Sequence, residues 1–287
     1  MSDADPAAAF DALGDETRVA ILRALVEHRR DAPTDPALSF SELRRRVGAS
    51  DSGRFNYHLG KLRGRFVENT DDGYELTFAG ERMATAVLSG AVSEDAKLGP
   101  RPLDHDCPLC ERGVEATYED GHVHVACTND HHLFSAPAPP ALARERDFET
   151  VLSVAVQESI DALSLAKRGV CRACYGEMSA GLEPRDGDEY DWRYVFRATC
   201  DRCGEFYGAP VGGALLDHPA LVEFFWSHGR DPSDEYPWLY GFLSPDDRSA
   251  VVSEDPLRVR VTVELDGDEF AAVVDEDGHV VDADVSA

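Results

Sequence analysis

Lysine is almost missing from this chain. Only Lys61, Lys97 and Lys167 occur in 287 residues, so arginine supplies nearly all of its 28 basic side chains, against 55 acidic ones and a formal charge of −27. Long apolar runs are missing too. The longest, such as ATAVL at 84–88, fall far short of the roughly 20 residues of a membrane span, and no apolar segment of signal-peptide type opens the chain. These absences lead to the expectation of a cytoplasmic protein with no membrane partner. The chain contains no GxxxxGK[ST] loop, no GxSxG elbow and no HExxH helix, and so reads as a non-enzyme. Its seven cysteines are an odd number and six of them stand in CxxC pairs, which in a reducing compartment favours metal ligation over disulfides.

What is abundant is negative charge. A surface rich in Asp and Glu, with arginine as almost its sole cation, stays hydrated where salt screens its self-repulsion. The composition resembles that of extreme halophiles, and a haloarchaeal cytoplasm is the expected setting. One segment departs from it. Between Ser39 and Phe66 stand Arg44, Arg45, Arg46, Arg54, Lys61, Arg63 and Arg65 against only Glu42 and Asp51, which leaves −32 for the rest of the chain.

That basic island falls within a recognisable order of elements. DPAAAFDAL (5–13) reads as a short helix ended by Gly14; Asp15 caps a second, in which Val19, Leu22, Leu25 and Val26 make one apolar face. SFSELRRRVG (39–48) reads as a third helix stopped by Gly48. Ser50 or Asp51 caps a fourth, whose Phe55, Leu59 and Leu62 recur at helical spacing and leave Ser52, Arg54, Asn56, Tyr57, His58 and Lys61 on the opposite face. FVENTDDGYELT then reads as a hairpin, and a last helix returns over 79–90.

ALGDETRVAILRAL and YHLGKLRGRFVE resemble the ArsR-type winged helix-turn-helix regulators, and the whole chain resembles haloarchaeal members that append a zinc-containing domain. The resemblance covers about residues 5 to 92. It implies a DNA-binding transcriptional regulator in which the fourth helix enters the major groove of double-stranded DNA. Ser52, Arg54, Asn56 and His58 would then meet base edges, Arg favouring guanine and Asn favouring adenine. Arg44, Arg45, Arg46, Lys61, Arg63 and Arg65 would hold phosphates.

Beyond a Pro- and Gly-punctuated stretch read as a linker over 93–106 come the cysteines. Cys171 and Cys174 with Cys200 and Cys203 form two CxxC knuckles that can enclose a zinc ion tetrahedrally. Cys107, Cys110 and Cys127 lack a fourth cysteine; His131 takes that place by its offset from Phe134, with His132 as the alternative, giving a second, mixed zinc site. The extra residue in its last knuckle leads to the expectation that the mixed site is the less enclosed and the first to lose its metal. His122 and His124, on alternating strand positions, read as surface residues.

Between these elements a long amphipathic helix is expected over 141–169. Its stripe of Phe148, Leu152, Ala155, Val156, Ile160 and Leu163 suits either a core or the seam of a homodimer. Over 257–285 an antiparallel meander of three strands is expected. The full reading is an α+β chain: a winged helix over 1–92, the linker, a first zinc-binding element over 107–140, the long helix, a second zinc ribbon over 170–212, and a C-terminal α+β segment over 213–287. A small-molecule or metal effector is possible in this reading. The rival is a zinc-ribbon module of the transcription apparatus that turns its basic island on protein or RNA.

Overall fold

A computed structural model describes residues 6–92, 95–185, 193–243 and 248–286. Asp5, Ser93, Glu94 and Trp192, which the sequence assigns to the first helix, the linker and a strand, lie outside them. The fold is mixed α and β, with antiparallel sheets throughout. It divides into two units, Met1–Asp95 with Pro139–Ala141, and Ala96–Ala138 with Leu142–Ala287. No helix among the described residues is long and apolar enough to cross a membrane.

The first unit runs α1 (Pro6–Leu13), α2 (Glu16–Asp31), α3 (Phe40–Val47), α4 (Ser52–Leu62), β1 (Val67–Asn69), β2 (Tyr74–Leu76) and α5 (Phe78–Leu88). Four helices start on side-chain caps that satisfy otherwise orphaned amides: Asp15 accepts from Thr17 and Arg18, Ser39 from Glu42, Asp51 from Arg54, and Thr77 from Gly80. Ile21, Leu43, Phe55, Leu59 and Leu62 are wholly buried in one cluster. Each such side chain contributes about 1.5–3 kcal/mol over an exposed one. The short β1–β2 hairpin would be marginal alone, but Leu38 and Tyr74 exchange backbone hydrogen bonds of 3.0 and 2.9 Å that tie it down. Gly73 makes this possible: at φ 139° any Cβ there would lie 2.6 Å from the Leu38 carbonyl oxygen.

Among the described residues the second unit holds three sheets. The first is the meander β3 (Leu98–Asp106), β4 (Gly113–Glu119), β5 (His122–Cys127) and β6 (His132–Pro137). After α6 (Pro140–Glu145) and α7 (Phe148–Lys167) comes the three-stranded sheet β7 (Met178–Pro184), β8 (Tyr194–Cys200) and β9 (Phe206–Pro210). Next is α8 (Pro219–Ser227), and last the meander β10 (Ser249–Glu254), β11 (Leu257–Leu265), β12 (Asp268–Asp275) and β13 (Val280–Ser286).

Four expectations change. Residues 98–106 are strand, not linker: Pro100 and Pro102 sit on an edge strand that pairs only with β4, where a missing amide is tolerated. The long helix breaks before Phe148, because the Asp147 carboxylate caps a new one by accepting from the Thr150 amide at 2.8 Å. The α7 stripe is core rather than a dimer seam. Phe148, Leu152, Ala155, Val156 and Leu163 are buried and Ile160 packs beside them, the N-terminal part against the first meander and the C-terminal part against the cluster around Phe196 and Phe225. The C-terminal meander has four strands rather than three, since β10 pairs with β11.

Candidate metal centres and the basic helix face

Each metal centre is assembled by the same local geometry. Cys107 and Cys110 lie on the turn between β3 and β4, Cys127 ends β5, and His131 precedes β6. Cys171 and Cys174 lie on a turn before β7, Cys200 ends β8, and Cys203 precedes β9. All three CxxC turns close with a residue in the left-handed region directly after the second cysteine, Glu111 and Tyr175 each at φ 55° and Gly204 at φ 75°. Asp130, at φ 62°, takes up the extra residue of the Cys127–His131 knuckle.

The ligand atoms of each group all lie within 4.8 Å of one another. Cys110 Sγ is 3.7 Å from Cys127 Sγ, Cys171 Sγ is 3.7 Å from Cys203 Sγ, and Cys174 Sγ is 3.5 Å from Cys200 Sγ. Cys107 Sγ is 3.6 Å from His131 Nδ1. A disulfide needs about 2.05 Å, whereas a tetrahedron built on metal–sulfur bonds of about 2.3 Å has edges of about 3.8 Å between sulfurs and about 3.6 Å from sulfur to nitrogen. These four separations match edges of such tetrahedra, and both groups can hold a metal ion. His131 joins the cage, while exposed His132 opens β6.

Backbone amides supply a further shell that the ligand spacing does not announce. Leu109 donates to Cys107 Sγ, Asn129 and His131 to Cys127 Sγ, and Arg202 to Cys200 Sγ, each at 3.4 Å. These N–H groups favour thiolate. The amides of Cys203 and Arg202 bring the Cys200 thiol down to about 6, against burial. At Cys127 burial opposes ionisation, yet the amides of Asn129 and His131 leave its thiol lowered. Burial pushes Cys107 up to about 11. The Glu205 amide favours the Cys203 thiolate, but the neighbouring sulfurs of Cys174, Cys200 and Cys171 push it up to about 12. In the metal-free chain, then, Cys127 and Cys200 are biased toward thiolate, while Cys107 and Cys203 are biased toward thiols whose protons a metal must displace.

Enclosure runs opposite to expectation. Cys107 and Cys127 are buried and Cys110 and His131 half-buried in the mixed group, whereas Cys203 of the all-cysteine group is exposed. Asp275, Asp277 and His279 also converge on the β12–β13 turn, where the Asp275 carboxylate caps the turn amides.

In the first unit Ser52, Arg54, Asn56, Tyr57 and Lys61 are exposed along α4, and Lys61 lies 5.5 Å over the Tyr57 ring. Arg45, Arg46 and Arg63 are exposed and Arg44 and Arg65 half-buried. The Arg54 amide engages the Asp51 carboxylate and lowers it below the usual carboxylate range, so the one acid beside this face stays ionised at the helix start. His58 departs from its expected place. It is buried at 6% exposure, with Nδ1 3.2 Å from Asp15 Oδ1, close enough for an ion pair but out of line for a hydrogen bond. The reason is helical spacing: three residues after Phe55, His58 falls on the apolar face. The hairpin tip, whose charge the sequence reading leaves unused, carries exposed Asp71 and Asp72.

Residues 104–280 match the family described as Domain of unknown function (DUF7351). The chain belongs to this family. The DUF7351 match takes in every ligand of both cysteine groups, and residues 6–87 match a second family, Domain of unknown function (DUF7347), which takes in α1 through most of α5. No curated protein and no solved structure matches the chain.

Proposed function

We propose that the chain is a DNA-binding transcriptional regulator, with an ArsR-like winged helix-turn-helix in its first unit and two structural zinc ions in its second. One observation carries this reading: in a chain of charge −27, α4 presents an exposed face of Ser52, Arg54, Asn56, Tyr57 and Lys61 without a single acid. Arg and Asn are the side chains that pair bidentately with guanine and adenine in the major groove. The arginines of α3 and Arg63 stand beside them as phosphate contacts. Hairpin and helices follow the order of a winged helix, but the acidic tip at Asp71 and Asp72 repels phosphate, so contact is assigned to α3 and α4.

Zinc is the metal favoured by closed tetrahedral cages of four sulfurs, or of three sulfurs and one nitrogen. Four protein ligands per ion leave no open position for a substrate, so the ions are assigned to holding the folded unit together. The regulator is proposed to act as a homodimer. With the α7 stripe buried, the exposed aliphatic and phenylalanine side chains among the described residues of the first unit, Phe10, Phe78, Leu88 and Val92, are what remains there for a symmetric partner.

Genome-wide occupancy of the tagged protein tests the reading. Discrete sites with two-fold symmetry at promoters are expected. A signal that tracks RNA polymerase, or that survives only through RNA, would replace the regulator with a zinc-ribbon interaction module.

A further inference from the structure

The outward face of β5 carries metal-competent side chains that belong to neither cysteine group. Burial alternates along the strand, so Val123 and Val125 face the core while His122 and His124 face out. Glu119 and Pro137 stand across from His122, and Thr117 and Ser135 across from His124. The two imidazoles stack with centroids 6.1 Å apart and planes 24° from parallel.

The hydrogen bonds of the two rings are those of metal ligands. His122 Nδ1 lies 3.1 Å from the Asp120 carbonyl oxygen. A carbonyl only accepts, so Nδ1 carries the proton of the neutral ring and Nε2 keeps its lone pair. His124 Nδ1 lies 3.1 Å from Ser135 Oγ, a hydroxyl able to accept the Nδ1 proton and free Nε2 in the same way. No hydrogen bond engages Nε2 of either ring among the described residues. Imidazoles that bind metals through one nitrogen characteristically donate the other N–H to such a partner.

We infer that the outer face of β5 binds a divalent transition-metal ion through the Nε2 atoms of His122 and His124, with water completing its shell. Imidazole and oxygen donors suit zinc, nickel or copper rather than magnesium or calcium. Two protein ligands on an exposed strand make this an exchangeable site, unlike the closed cysteine cages, and it stands independently of the DNA-binding proposal.

Calorimetric titration of the full untagged chain with Ni²⁺ tests it, the cysteine groups being loaded beforehand and their metal counted before and after. The expected result is one Ni²⁺ equivalent beyond the retained metal. His122→Ala and His124→Ala should each weaken it by more than about tenfold, the size of loss that even an outer-shell partner can produce. The control His279→Ala, which removes the exposed histidine of the β12–β13 turn, should bind as wild type. The inference is overturned if wild type takes up no additional nickel, if either β5 variant binds as wild type does, or if uptake follows His279.

Discussion

Replacing Cys110 with serine removes one corner of the mixed cage while leaving its size almost unchanged, and the consequence can be worked from what packs around it. Structural zinc supplies about 10–16 kcal/mol of apparent binding energy in small domains, comparable with the entire 5–15 kcal/mol by which a typical domain is stable. Losing the ion should therefore release the two knuckles and the strand ends they join. Trp238 reports on that event. It is buried at 6% exposure in the cluster with Tyr118, Val125 and Leu152, its ring centroid is 5.2 Å from that of Phe134, and its indole N–H donates to His105 at 3.3 Å, two residues before Cys107. Trp226 is already 57% exposed. In a Trp192→Phe, Trp226→Phe background, tryptophan emission then comes from Trp238 alone. Cys110→Ser should leave one metal per chain and shift that emission to the red. Cys174→Ser should also leave one metal but hold the emission in place, because Cys174 packs against the cluster around Phe196 instead. Equal spectral shifts in the two variants, or an unmoved spectrum in Cys110→Ser with its metal lost, would refute the reasoning.

Three further outcomes are expected. Exposed Cys203 makes the all-cysteine cage the first to release metal to peroxide, since accessible sulfur oxidises first; release timed with a chromogenic chelator should be slowed more by Cys174→Ser, which empties that cage beforehand, than by Cys110→Ser. His228 is raised above the ordinary histidine range by the Phe224 carbonyl, against burial, and by Asp268. Its stabilising contribution is therefore complete below about pH 6.5 and lost as pH rises through the raised value, so denaturant unfolding should find His228→Gln more deficient at about pH 6 than at about pH 8.5. Neutralising the hairpin tip with Asp71→Asn and Asp72→Asn should tighten duplex binding at low salt and lose that gain as salt screens it, as read by fluorescence anisotropy.

The parts legible in the sequence are those where spacing and chemistry agree. Phe55, Leu59 and Leu62 announce the buried face of α4, and the CxxC pairs, with His131 placed by its offset from Phe134, announce both cages. The misreadings arise where residue type and position conflict. His58 looks like a polar reader of DNA, yet its helical angle carries it beneath the surface, beside Asp15. Pro100 and Pro102 look like linker residues, yet an edge strand tolerates them. Asp147 looks like one more polar position in a continuous helix and instead caps a new one. β7 escapes a sequence reading because Gly181 and Pro184 dilute its pattern; Gly181 is needed where a Cβ would come within 2.9 Å of the Glu276 carbonyl oxygen. The order of enclosure could not be read at all, since ligand identity does not reveal that Cys203 lies at the surface.

The central claim is that the exposed face of α4 reads bases while its neighbours hold phosphates. It is tested most directly by measuring the affinity of wild type, Arg54→Ala, Asn56→Ala and Arg45→Ala for a bound promoter site and its single-base variants across a range of KCl concentrations. Arg54→Ala and Asn56→Ala should each cost about 1–3 kcal/mol, roughly 5- to 150-fold, and each should relax preference at its own base pair. Arg45→Ala should weaken all sequences alike and flatten the salt dependence by about one phosphate contact. Losses that are equal and blind to sequence in all three variants, or a wild-type chain with no preference for the site, would contradict it.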